Sequence, residues 1–91
     1  MIQYAKLTTG DEVIADIEKA EENYVFSSPA RIVFTQQGIG LLPFNPFMKE
    51  KDKIIIATQH VVYTAEIEDE IKNAYNEKFG NGLFLPSSLS F

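Results

Sequence analysis

From residue 3 to residue 63 the chain is a series of short β-favouring runs separated by turn-forming residues, and helical spacing of apolar side chains begins only at Glu66. That order confines the fold to a small, mostly β domain with a helix near the C-terminus. Residues 3–7 read as a strand and Thr8-Thr9-Gly10-Asp11 as a tight turn, because Gly accepts positive φ and Asp bonds its own backbone. Val13, Ala15 and Ile17 alternate with Ile14, Asp16 and Glu18, the pattern of a strand with one face buried and the other mostly wet. A turn over residues 19–23 leads into a strand over 24–34. Ser27-Ser28-Pro29 interrupts it, and since Pro lacks a ladder donor a bulge or bend is expected there.

Residues 36–47 carry Gly38, Gly40, Pro43 and Pro46 among Leu41, Leu42, Phe44 and Phe47, and read equally as an outer hairpin or as a loop. Residues 48–53 form a charged connector. Ile54-Ile55-Ile56-Ala57 follows, as a strand buried on both faces or lying in an interface. Thr58-Gln59-His60 is a short turn, and Val61-Val62-Tyr63 brings the expected strands to five, few enough for a small bent-sheet barrel.

Beyond Glu66, the residues Ile67, Ile71, Ala74, Tyr75 and Phe79 share one helical face, with Thr64 as the expected N-cap and Gly80 just past the end. Glu66, Glu68, Asp69 and Glu70 at its start and Lys78 at its close suit the helix dipole, which accounts for this acidic cluster without a metal. The expected division is a domain over residues 1–80 and a tail over 81–91. The apolar Leu89 and Phe91 near the tail's end favour docking over a free end.

At 91 residues with 45% hydrophobic and 23% charged, the chain suits one folded domain rather than two, and is too apolar for intrinsic disorder. The longest apolar runs, residues 41–44 and 54–57, fall far short of the roughly 20 residues of a membrane span. No basic segment followed by an apolar stretch opens the sequence, so a cytoplasmic location is expected. The lack of cysteine excludes disulfides, thiolate zinc sites and thiol nucleophiles, and leaves packing or oligomerisation to stabilise a small core. A net charge of -5 opposes generic attraction to phosphate while permitting a local basic patch.

No catalytic constellation is legible. The serines lack a base with an orienting acid, His60 has no Asp or Glu within five residues, and Gly38-Ile39-Gly40 lacks the third glycine and helix of a dinucleotide fingerprint. No enzymatic activity, cofactor or metal is therefore expected. Two features point toward nucleic acid instead. Lys49, Lys51 and Lys53 alternate with Glu50 and Asp52, so an extended chain presents the lysines as a cationic comb on one side, read either as a solvated loop or as a phosphate contact to which Arg31 can add. Phe44, Phe47 and Met48 form a second candidate surface, for base stacking or a protein partner, against burial in the core.

Leu7-Thr8-Thr9-Gly10-Asp11-Glu12-Val13-Ile14-Ala15-Asp16-Ile17 resembles the first motif of the Sm and LSm proteins, Leu-x-x-Gly-x-x-Val-x-Gly-x-Leu, and Asn23-Tyr24-Val25-Phe26 falls where that motif has Asn and an apolar strand. Ile56-Ala57-Thr58-Gln59-His60-Val61-Val62-Tyr63 is similar to the second motif, Ile-Arg-Gly with a turn and a Val-rich strand. The departures are specific. Ala15 replaces the Gly that bends the second strand, Ala57-Thr58 replace the Arg-Gly pair, Glu21 stands at the base-stacking position, and the helix is C-terminal rather than N-terminal. Among the Sm-like proteins the chain is thus similar to a divergent branch, such as those of marine phage (cyanophage) origin.

The resemblance implies a five-stranded Sm-like barrel assembled into a homo-oligomeric ring of about five to seven subunits. It implies that Asn23, Gln59 and His60 line a pore and contact bases of single-stranded RNA or DNA, in RNA or DNA processing within a phage-infected bacterial host, and the cationic comb would add Arg31, Lys49, Lys51 and Lys53 on phosphates. A different expectation also fits the acidic charge and the missing Arg: a phage-derived structural or assembly module that binds protein through Phe44, Phe47 or residues 83–91, and binds no nucleic acid.

Overall fold

A computed structural model describes residues 1–48 and 53–79. In chain order it comprises β1 (Ile2–Leu7), β2 (Glu12–Ala20), β3 (Asn23–Thr35), β4 (Gly38–Pro43), β5 (Lys53–Ala57), a 3-10 turn (Thr58–His60), β6 (Val61–Ala65) and α1 (Asp69–Phe79). All strand pairs are antiparallel, in the order β4-β3-β2-β1-β6, with β5 also paired to β3. The sheet therefore has six strands rather than five, and it is not closed into a barrel. β4 and β5 lie beside successive halves of β3 on one side of the sheet and β6 beside β1 on the other, so among the described residues each of the three keeps an unpaired edge.

The sixth strand comes from the glycine-rich stretch after β3. Thr35 pairs with Gly38, whose φ of 120° suits a tight reversal, and the register then runs regularly to Ala30 opposite Pro43. β3 thus has two partners in succession. Its first half, Asn23 to Ser27, lies against β5, and its second half, from Ala30 onward, lies against β4.

The change of partner falls at Ser27-Ser28-Pro29, where the proline predicts a bulge or bend. Pairing with β2 passes from Asp16 opposite Ser27 to Ile14 opposite Ala30, so Ala15 faces two residues, and Ser28 adopts a φ of 50°. This is a bulge. Ala15 is fully buried across from it. The bend that the resemblance assigns to a glycine in β2 is made here in β3. The Tyr75 hydroxyl of α1 shares its one proton between the carbonyls of Ser28 at 2.8 Å and Ser27 at 3.2 Å, which ties the helix to the bulge.

Both faces of the sheet are covered near its centre. Ala5, Leu7, Val13, Ala15, Ile17 and Phe26 form one core, with Tyr24, Phe44, Ile54 and Ile56 packed on it. Ile14, Ala30, Leu41, Tyr75 and Phe79 form the other, beneath α1. Asp16 and Glu18 are exposed, as alternation in β2 predicts, but Ile14 is buried because the helix caps its face. The apolar β5 is not buried on both faces. Ile54 and Ile56 turn toward the core while Ile55 is 68% exposed.

α1 begins at Asp69 rather than Glu66, and Thr64 is no cap: it lies in β6 opposite Ala5, where sheet pairing holds it extended. The Glu68 carbonyl instead accepts the amides of Ile71 and Lys72. Ile67 packs just ahead of the helix, and Ile71, Tyr75 and Phe79 carry its buried stripe at four-residue spacing, while Ala74 faces outward. The expected docking of residues 81–91 lies outside the described residues.

Candidate nucleic-acid interface

Asn23 and the turn that carries Gln59 and His60 lie at one corner of the sheet, because Asn23 pairs with Ala57, the residue just before that turn, although 36 positions separate Asn23 from Gln59 in the sequence. β2 and β3 are joined by Glu21 and Glu22 alone, since Ala20 already pairs with Asn23. Asn23 lies opposite Ala57 of β5, and the Thr58 amide donates to the Glu22 carbonyl at 3.0 Å, which fixes the 3-10 turn against the hairpin. All three side chains are exposed. The same corner exposes Glu21 and Glu22, which repel phosphate.

His60 is anchored through a residue whose part was not legible in the sequence. The Thr8 amide donates to the His60 carbonyl at 2.9 Å, and the Thr8 hydroxyl lies 3.5 Å from His60 Nδ1. The β1–β2 turn that holds Thr8 is itself fixed by backbone bonds from the Leu7 amide to the Asp11 carbonyl and from the Gly10 amide to the Leu7 carbonyl, with Gly10 at a φ of 95°. Between this turn and β5 lies a cleft of about 400 Å³. Leu7, Phe44 and Ile56 give it apolar walls, and Thr8, Asp11 and His60 give it polar groups. Such a mixture suits a flat aromatic group that carries hydrogen-bonding edges.

Lys19, opposite Tyr24, is exposed at this corner, but the cationic residues expected to contact phosphate are elsewhere. Lys53 is exposed at the start of β5 opposite Ser27. Arg31 is exposed beyond the bulge, opposite Val13 and Leu42. It is eight positions from Asn23 along β3, on the order of 25 Å at about 3.3 Å per residue. Lys49 and Lys51 lie outside the described residues. Of the aromatic candidates, Phe44 packs on the first core and Phe47 is 95% exposed. Among the described residues, no group of three or more His, Asp or Glu side chains is placed to hold a metal ion, and no helix is long and apolar enough to cross a membrane.

Elsewhere on the sheet, the Tyr4 hydroxyl donates to Glu12 at 2.6 Å, and its ring lies 5.7 Å from that of the exposed Tyr63. Desolvation, reinforced by the Glu12 carboxylate, pushes its ionisation well above the usual tyrosine range. Compared with known proteins, the sequence matches no family model, and no curated protein matches it at a significant level.

Proposed function

We propose that the chain is the subunit of a head-to-tail homo-oligomeric ring of Sm-like type that binds single-stranded nucleic acid at the corner formed by Asn23, Gln59 and His60. The observation that carries this reading is the state of the two sheet edges. Among the described residues, β6 ends the strand order on one side, while β4 and β5, on successive halves of β3, end it on the other; β5 and β6 each pair with one strand and both expose apolar side chains, Ile55 on one, Val62 and Tyr63 on the other. An apolar edge is an aggregation hazard unless another strand covers it. Pairing two different edges between copies is heterologous contact, which closes into a ring when the rotation permits.

Ring assembly repeats the corner around an axis, where Asn23 and Gln59 offer hydrogen bonds to base edges and His60 a stacking surface. Unstacked bases supply both. The net charge of -5 makes phosphate attraction local, through Arg31 and the lysines at 49, 51 and 53. The alternative, an assembly module that binds protein alone, is favoured by that same charge and by exposed Phe47.

The two groups of residues separate by mutation. Changing Asn23 and His60 together to Ala is expected to reduce discrimination among homopolymers by about tenfold, a loss of roughly 1.4 kcal/mol between best and worst sequence. Changing Lys49, Lys51 and Lys53 to Gln is expected to preserve the preference while flattening the salt dependence, by roughly 0.7 in log-log slope for each phosphate no longer neutralised. Fluorescence anisotropy with labelled homopolymers at several salt concentrations reads both effects. Equal losses of preference and slope in the two variants would refute the division of labour.

A further inference from the structure

The arm formed by β3 and β4 has an apolar face that is covered over half its length. Side chains alternate along each strand, so Ala30, Ile32 and Phe34 share a face with Leu41 and Ile39, which lie opposite Ile32 and Phe34. At the root, Ala30 and Leu41 are buried with Tyr75 and Phe79 of α1, and Ile32 packs against them. One cross-strand pair further out the cover stops: Phe34 is 73% exposed and Ile39 52% exposed.

The helix delivers the chain to that boundary. Lys78, one residue before the end of α1, donates its ammonium to the Leu41 carbonyl at 2.7 Å. The sequence then continues through residues 80–91, Gly-Asn-Gly-Leu-Phe-Leu-Pro-Ser-Ser-Leu-Ser-Phe, which contain five large apolar side chains and no charged one. Gly80 directly follows the last helical residue, where glycine permits the left-handed turn that reverses a chain. Ile39 is two residues from Leu41 along β4, about 7 Å, and a segment starting beside Leu41 spans that distance within three residues.

We propose that residues 83–91 of the same chain fold back onto Phe34 and Ile39 and complete this face, leaving β5 and β6 free for other contacts. Apolar matching of segment and face supplies the attraction, and the short tether makes it intramolecular, at an effective concentration near millimolar. Neither the ring nor nucleic-acid binding is needed for it.

The absence of cysteine makes a direct test possible in the full chain. Ile39→Cys is paired in turn with Leu83→Cys, Leu85→Cys and Leu89→Cys. The control carries the same tail cysteines with Leu42→Cys, which is 42% exposed and adjacent to Leu41 but on the opposite face of the arm. Under mild oxidation at low micromolar protein, at least one pair with position 39 is expected to form an intrachain disulfide about tenfold or more faster than its control. In the unsubstituted chain, nuclear Overhauser contacts are expected between the Phe34 ring and leucine methyls of the segment. Equal rates from positions 39 and 42, disulfides mainly between chains, or absence of those Overhauser signals would overturn the proposal.

Discussion

Ile55→Lys is expected to yield a folded monomer in place of an oligomer, while Ile56→Lys, one residue further on, is expected to unfold the chain. The two side chains point to opposite sides of β5. Ile55 is 68% exposed, and Ile56 packs against the core that contains Phe26 and Ile17. A lysine at position 55 leaves the core untouched, so its effect on the stability of a single subunit is within about 0.5 kcal/mol. At an assembled edge it places a charge in an apolar contact, and a ring repeats that cost at every junction. At position 56 a lysine loses the apolar packing and brings an ammonium to the core, a penalty of about 3 kcal/mol or more and a large part of a small domain's stability. Sedimentation velocity with thermal unfolding distinguishes the two. An Ile55→Lys variant that keeps the parent's oligomeric state would show that β5 is not the contact edge.

The second large effect is alkaline unfolding through Tyr75. Burial, with the Asp16 carboxylate opposite Ser27 adding to it, pushes the Tyr75 hydroxyl up to about 12 from the ordinary 10. The folded state thus holds the proton more tightly than the unfolded state. The resulting stability is fully present below about pH 10 and falls as the pH rises toward 12, by an amount on the order of 2 to 3 kcal/mol. Tyr4 is shifted in the same direction and adds to the alkaline loss. Tyr75→Phe removes the donor to the Ser27 and Ser28 carbonyls, so it is expected to cost about 1 to 3 kcal/mol at neutral pH and to show a shallower decline above pH 10. Urea unfolding between pH 7 and 11.5 measures both quantities. A variant as stable as the parent at pH 7, with the same alkaline slope, would mean that the hydroxyl does not hold the bulge to the helix.

What the sequence made legible was local. Alternation in β2, the turn at Gly10, the proline bulge and the stripe Ile71, Tyr75, Phe79 all follow from spacing within about ten residues. The features that escaped it depend on distant partners. Ile54-Ile55-Ile56 has no periodicity, so nothing in it reveals that the middle residue alone faces outward. Thr64 has the chemistry of a helix cap, but pairing with Ala5 far earlier in the chain holds it in β6. Residues 36–47 remained open between hairpin and loop because a strand needs a partner, and β3 provides one only as far as Pro43. At the candidate site, Asn23, Gln59 and His60 follow from motif positions. Thr8, whose amide bonds the His60 carbonyl across 52 residues, and the cleft beside it do not, because neither leaves a local pattern.

The central claim, that an assembled ring of this chain binds single-stranded nucleic acid, is tested most directly by titrating labelled single-stranded RNA and DNA with the unsubstituted protein from low to physiological salt. Oligomeric state is monitored in the same samples. The expected result is saturable binding by the oligomer, with an affinity that falls steeply as salt rises because each phosphate contact releases a counterion. An intact oligomer that binds neither RNA nor DNA at the lowest salt would contradict the claim and leave the protein-binding assembly module as the reading to pursue.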